Sequence, residues 1–413
     1  MPAARLPILV FEPSGLDWLA PLAACRPVWD LRAGPRSPRE LLAAAARDRE
    51  LLLWPRRELA GLVPRPAPER LAADELLLVA GHQLMLEPDA LARLDALGPG
   101  ERLAADDGEI LALRLAGSEA RGFLASLEET AERPAPAATP RRGPLGPRVE
   151  AWWELAELGQ EVLDHLAEDI LAAGGWRGER RDDWPGSDRA FLAEGAAVAP
   201  GAVLDASGGP VLLDRDVVVG ANALVQGPAY LGPGTRVKPQ SLVHGAFTGP
   251  QCRLGGEVEE SQFQGFANKQ HHGFLGHAAV GEWVNLGAGA TNSDLKNNYS
   301  AVRVRHGDRE TDTGRLFVGC CLGDHVKVGI QGRLNTGTVL APFCNWFGAG
   351  FAPKYLPPFT WGGDGAPSEH RLDDALRTAR AVMARRGREP DPALESVYRE
   401  LFAASAPDRS ALA

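Results

Sequence analysis

Aliphatic residues recur at every sixth position through the middle of the chain: Leu213, Val219, Val225, Leu231, Val237 and Val243. The step returns as Phe274, Val280 and Leu286, and again as Leu322, Val328, Leu334 and Leu340. Glycine directly follows many of these rungs, as in Val219-Gly220, Leu231-Gly232 and Val328-Gly329. Side chains repeat every 3.6 residues in a helix and every 2 in a strand, so neither produces a period of six. A hexapeptide repeat predicts a parallel β-helix, here read as left-handed. Each repeat forms one short side of a triangular coil, its aliphatic residue points inward, and small residues turn the corners. The pattern covers residues 191–358 and is expected to break at Gly245–His272 and at Ala290–Phe317.

The flanks follow other rhythms. Over residues 1–130, short apolar runs at Ile8–Phe11, Leu51–Trp54, Glu75–Ala80 and Ile110–Leu115 alternate with helical stretches such as Pro38–Asp48 and Asp89–Leu97, which predicts an α/β domain. Residues 131–190 read as a connection. Proline and arginine crowd 131–148, predicting an exposed linker. A stripe of Trp153, Leu155, Leu158, Val162 and Leu166 then predicts a helix over Glu150–Leu171. The tail, 359–413, is helical in pattern from Leu372, with a break at Pro390-Asp391-Pro392.

Composition narrows the partners. A formal charge of −10 speaks against nucleic acid or an anionic membrane as the main partner. No run approaches the roughly 18 apolar residues of a membrane span. Nothing at the N-terminus has the pattern of a signal peptide, and the five cysteines lack metal-ligand spacing, so a cytoplasmic protein without a bound metal is expected.

Candidate chemistry gathers where the ruler skips. Three of the nine histidines, His271, His272 and His277, fall within seven residues. Imidazole titrates near neutrality and can take the proton from an attacking amine. Gly287-Ala288-Gly289 would let a ligand approach the backbone, whose amides can stabilise an oxyanion.

The motifs Asn268-Lys-Gln-His271, Gly273-Phe-Leu-Gly-His277, Gly281-Glu-Trp-Val-Asn-Leu-Gly-Ala-Gly289 and Asn292-Ser-Asp-Leu-Lys-Asn-Asn-Tyr299 carry a resemblance. They resemble the bifunctional N-acetylglucosamine-1-phosphate uridylyltransferase/glucosamine-1-phosphate N-acetyltransferase family, in its divergent bacterial branch. The resemblance implies His271 as catalytic base. It implies Lys238, Asn285, Asn298 and Tyr299 as sugar-binding residues and Ala288 as the contact for the acetyl-CoA thioester. It also implies a homotrimer acting on a small sugar substrate. Two departures stand out: Glu257-Val-Glu-Glu260 stands where the family carries a second basic residue before the base, and Phe274 stands in place of a tyrosine.

The first domain lacks the glycine-rich triphosphate loop of such nucleotidyltransferases, offering Phe11-Glu-Pro-Ser-Gly-Leu-Asp17 instead. Its Cys25-Arg-Pro-Val-Trp-Asp-Leu-Arg-Ala-Gly34 resembles the branch's own signature, which makes Arg26 and Arg32 candidates for nucleotide phosphates. Mg²⁺ is implied only if this domain is active. The expectation is therefore an acetyl-CoA-dependent N-acetyltransferase of an amino sugar or its phosphate, serving nucleotide-sugar and cell-envelope synthesis. The alternatives are a sugar-1-phosphate nucleotidyltransferase using UTP or dTTP, whose β-helix serves oligomerisation, and a non-catalytic regulatory ligand-binding protein.

Overall fold

A computed structural model describes residues 5–72, 75–127, 141–173, 177–178 and 181–411. The first apolar runs form a five-stranded sheet of β1 (Ile8–Phe11), β2 (Leu51–Trp54), β3 (Glu75–Ala80), β4 (Arg102–Ala104) and β5 (Ile110–Ala116), in the order β2-β1-β3-β5-β4. The first three strands are parallel, and β5 runs antiparallel to its neighbours β3 and β4. Both sheet faces are covered, which explains why the strands read as continuous apolar runs. Ile8, Val10, Leu77 and Val79 face one core; Leu9, Phe11, Leu76 and Leu78 face another, against Ala120 and Leu124 of the helix Gly117–Ser126.

The six-residue ruler builds the expected parallel coil. Its strands stack into two ten-stranded sheets and one five-stranded sheet. Leu213, Val219, Val225, Leu231, Val237 and Val243 all lie in its core with 3% exposure or less. Coils in this stretch are 18 residues long, since Leu213 pairs with Leu231.

The break expected at Gly245–His272 is not one. Phe247 pairs with Gln262, 15 residues on, and Gln262 with Ala279, 17 residues on. The turns shorten while the strands stay in register, so the count slips and the coil continues. Phe274 is also not a rung: it is half-buried, and Leu275 takes the core position. The second break is real. After Thr291–Asn292 the chain leaves the coil, makes the antiparallel hairpin Arg303–His306/Arg309–Asp312, and returns at Cys320.

One corner of the coil carries an aromatic column of Phe266, Trp283, His325, Phe343 and Phe359, all at positive φ. Neighbouring rings lie 4.2, 6.3, 4.6 and 4.5 Å apart. A left-handed backbone costs about 1–3 kcal/mol at a non-glycine residue, and ring stacking returns about 0.5–1.5 kcal/mol per pair.

The exposed linker expected at 131–148 is ordered where described; 131–140 lie outside the described residues. Residues 142–143 and 146–147 form a small hairpin, and Leu145, Arg148 and Val149 are buried. Arg148 is held by Asp107 at 2.8 Å and Glu109 at 2.5 Å, so its charge is matched inside. The helix Leu155–Ala173 forms as expected. Its Leu163 and Leu166 pack on Phe191, Leu212, Tyr230 and Phe247, the outward residues of one coil face.

The α/β domain covers the rest of that face, where Ala279, Cys321 and Val339 join its core. At the junction Gly34 has φ +66°, and a Cβ there would come within 2.4 Å of the Gly159 carbonyl oxygen. Gly34→Val should therefore destabilise the protein by about 2–4 kcal/mol, readable as a lower urea midpoint with unchanged m-value. The tail forms helices Leu372–Ala384 and Pro392–Ala404 with the expected break. Tyr398 of the second helix meets the aromatic column, its hydroxyl 3.2 Å from His325 Nε2. Among the described residues, no helix is long and apolar enough to cross a membrane.

Candidate active-site edge

One edge of the prism collects the turns that follow a single column of strands. Lys238 donates its amide to Leu254 O; Gly255 lies against Gln270, and Gly289 donates to His272 O at 3.1 Å. Strands stack about 4.8 Å apart, so Lys238 and His271, two coils apart on this edge, are separated by roughly 10 Å along it. Ala288 lies one coil beyond His271. Lys238, His271 and His272 are exposed, while Asn285 and Ala288 are half-buried. Asn285 sits on the adjoining face beside Asn268, with Oδ1 3.4 Å from Asn268 Nδ2.

The turn that presents His271 is pinned from inside. Lys269 is 1% exposed and donates to Gly255 O and His271 O, both at 2.7 Å. Burial lowers its pKa to about 8, outweighing the pull of Glu257. A lysine whose folded pKa lies below its unfolded one loses stability when protonated. Its stability contribution should rise with pH between about 8 and 10.5. Urea unfolding of wild type and Lys269→Met at pH 7.5 and 9.5 checks this: wild type should gain on the variant at the higher pH.

Asn298 and Tyr299 lie apart, in the loop that leaves the coil. Asn298 Oδ1 accepts from the Ser300 amide and hydroxyl, and Tyr299 is 70% exposed. No described contact joins either of them to His271. The same loop supplies Asp294, whose carboxylate lies 2.8 Å from His277 Nδ1, and Phe317 stacks on that imidazole at 5.1 Å. A carboxylate fixing one ring nitrogen is the arrangement that orients a base. The spacing of the motif alone does not show which residue the long insertion folds back beside His277.

At the α/β domain, Arg26 lies in a triad with the half-buried Glu282, at 3.0 Å, and the buried Asp324. The Arg32 guanidinium is held by Glu40 at 2.9 Å and Pro35 O at 2.8 Å, and its amide donates to Gln264 at 2.7 Å. These contacts tie Arg26 to the coil and hold the Arg32 guanidinium within its own domain, and both arginines line a cavity of about 330 Å³.

The loop after β1 is filled by the Glu12 carboxylate, which accepts from the amides of Val28 and Arg56 at 2.9 and 2.8 Å and from the Arg56 guanidinium at 2.6 Å. A carboxylate thus occupies the place where a triphosphate loop presents amides. Beyond it, a cavity of about 640 Å³ opens at the ends of β1 and β2, bordered by Trp54, Arg57, Arg65 and Leu401. Among the described residues, His82, Glu109 and Glu150 bring ligand-type atoms within 4.8 Å of one another. Arg148 already lies against both carboxylates, 2.5 Å from Glu109 and 3.6 Å from Glu150, so the cluster carries its own cation and fits a Mg²⁺ ion poorly.

Residues 8–160 match the family model described as sugar nucleotidyl transferase. "Bifunctional protein GlmU" of Trichormus variabilis is 30% identical over 148 residues, covering 33% of this chain and 30% of that protein. The Azoarcus sp. protein of the same name is 31% identical over 154 residues, covering 32% of each chain. Over about a third of its length the chain is thus similar to the GlmU-type transferases. A bifunctional sugar-1-phosphate nucleotidylyltransferase/acetyltransferase of Sulfurisphaera tokodaii is 25% identical over 114 residues, covering 27% of each chain. The matches span about a third or less of the length of these curated relatives. Among solved structures, a Bacillus cereus putative acetyltransferase overlaps 53% of this chain and 96% of its own. At 14% identity and a TM-score of 0.23, that likeness is too slight to bear on chemistry.

Proposed function

We propose that the protein transfers the acetyl group of acetyl-CoA to the amine of an amino sugar or amino-sugar phosphate in nucleotide-sugar synthesis. The observation that carries this reading is the shared edge: an exposed imidazole at His271, a cation at Lys238 and the glycine-flanked Ala288 follow one another along a rigid coil. A prism edge holds such groups at fixed spacing, which is what positioning a nucleophile against a thioester requires.

In this reading the amine attacks the thioester carbon, His271 takes the amine proton, and the amides beside Ala288 hold the oxyanion. The C–S bond then breaks and CoA leaves as its thiol. Asn285 orients the sugar from the adjoining face. Asn298 and Tyr299 lie on an exposed loop, so they reach a substrate on a neighbouring copy more readily than on their own. That fits a homotrimer, as does the apolar surface of Ile330, Phe347 and Phe351, which are 75%, 52% and 57% exposed. The test is release of CoA thiol from acetyl-CoA over a panel of amino sugars and their phosphates. Turnover with at least one amine is expected, and none with the matching N-acetylated sugars.

The second reading, a sugar-1-phosphate nucleotidyltransferase, draws on the family match over residues 8–160 and the cavity at the strand ends. Ligands of open α/β sheets bind at that end. Glu12 speaks for a nucleotide-binding remnant without transfer. Pyrophosphate release from UTP or dTTP with Mg²⁺ would favour this second reading.

A further inference from the structure

A cavity of about 420 Å³ lies between the coil face that bears Asn285 and the end of the helix Leu372–Ala384. Four cations line it: Arg253 and Lys327 from the coil, Arg385 and Arg386 from just beyond the helix. No carboxylate lines it, in a chain whose net charge is −10. Among the described residues none of the four cations has an ion-pair partner.

Neutral oxygens hold three of them instead. Arg253 donates to the carbonyls of Gly234, Gln251 and Cys252 at 2.9–3.2 Å, and Lys327 to Trp283 O at 2.6 Å. Arg386 donates to Asn268 Oδ1 at 2.8 Å. Such contacts orient the donors and leave their charge uncompensated. Burial and the neighbouring Arg386 and Arg236 together lower the Arg253 pKa to about 10, and burial lowers that of Lys327 to about 7, so Lys327 is fully charged only below neutral pH or beside a bound anion. Arg236 pairs in register beside Arg253, which extends the positive field.

The cavity's ends give it direction. The stacked rings of Phe266 and Trp283 close one side, and Gln270, next in sequence to His271, lies at the other.

We infer that this cavity is an anion site, completed by the chain's own C-terminal helix, that holds the phosphomonoester of a ligand whose other end reaches the His271 edge. Guanidinium groups suit such a dianion because their N–H donors match phosphate oxygens in pairs. The phosphate belongs either to the coenzyme's nucleotide end or to a sugar phosphate. The charge argument stands apart from acyl transfer; only the choice of probes rests on that reading.

Isothermal titration of the intact protein at low salt tests it, with adenosine 3′,5′-bisphosphate, glucosamine 1-phosphate and glucosamine as separate probes. At least one phosphate probe should bind, and Arg386→Gln and Arg253→Gln should each weaken it tenfold or more. The probe that loses affinity names the source of the phosphate. Arg386 lies beyond the helix end on a half-buried position, so its variant keeps the fold even if Arg253→Gln does not. Unchanged phosphate affinity in Arg386→Gln, no binding of either phosphate, or equal losses for glucosamine would each overturn the inference. No turnover is measured, so its failure and the failure of acyl transfer are read separately.

Discussion

Arg26→Ala should cost about 3–5 kcal/mol of stability, because it leaves a buried carboxylate without its partner. The Asp324 side chain is 4% exposed and that of Glu282 29%, and both lean on one guanidinium from the α/β domain. The Asp324 carboxyl is already held above its usual range by burial. Without Arg26 it would rise further and sit protonated over a wider range. A carboxyl whose folded pKa is raised loses stability as pH rises past its unfolded value. The gap between wild type and Arg26→Ala should therefore widen from pH 5 to pH 8. Asp324→Asn in the Arg26→Ala background should restore part of the loss. Urea unfolding of the three proteins at both pH values checks this, and a variant as stable as wild type at pH 8 would show that the triad does not join the two units.

His271→Ala should lower kcat for acetyl transfer by about 10²–10⁴, the range a positioned general base supplies. KM for acetyl-CoA should move little, since the imidazole meets the amine rather than the coenzyme. The exposed His272 next to it serves as the control, with His272→Ala expected within twofold of wild type. His277 is the informative comparison, because Asp294 orients its ring. If His277→Ala abolished the rate and His271→Ala did not, the base would be the His277–Asp294 pair and the assignment made here would fall.

The rungs were legible because a buried aliphatic residue at a fixed step leaves a direct trace in the chain. Coil length was not legible. Between Phe247 and Ala279 the turns lose residues while strand pairing persists, so a reader counting sixes sees a break where the coil continues. Phe274 failed for a related reason: a shorter turn passes the inward position to Leu275.

The candidate motif residues His271, Asn285 and Ala288 do fall on one edge and its adjoining face. Their supports were not legible. Lys269 looks like a surface charge until the turn closes over it. The ties from Arg26 to Asp324 and from His277 to Asp294 depend on how distant segments return. The cationic cavity needs the tail folded back over the coil, and the helical pattern of 372–384 says nothing of which face it meets.

The most direct test of the account is a crystal structure of the protein with CoA and an N-acetylated amino sugar bound. The account predicts the CoA sulfur beside Ala288 and the product amide nitrogen about 3–3.5 Å from the His271 imidazole. Both ligands bound away from that edge, with His271 facing only solvent, would contradict it.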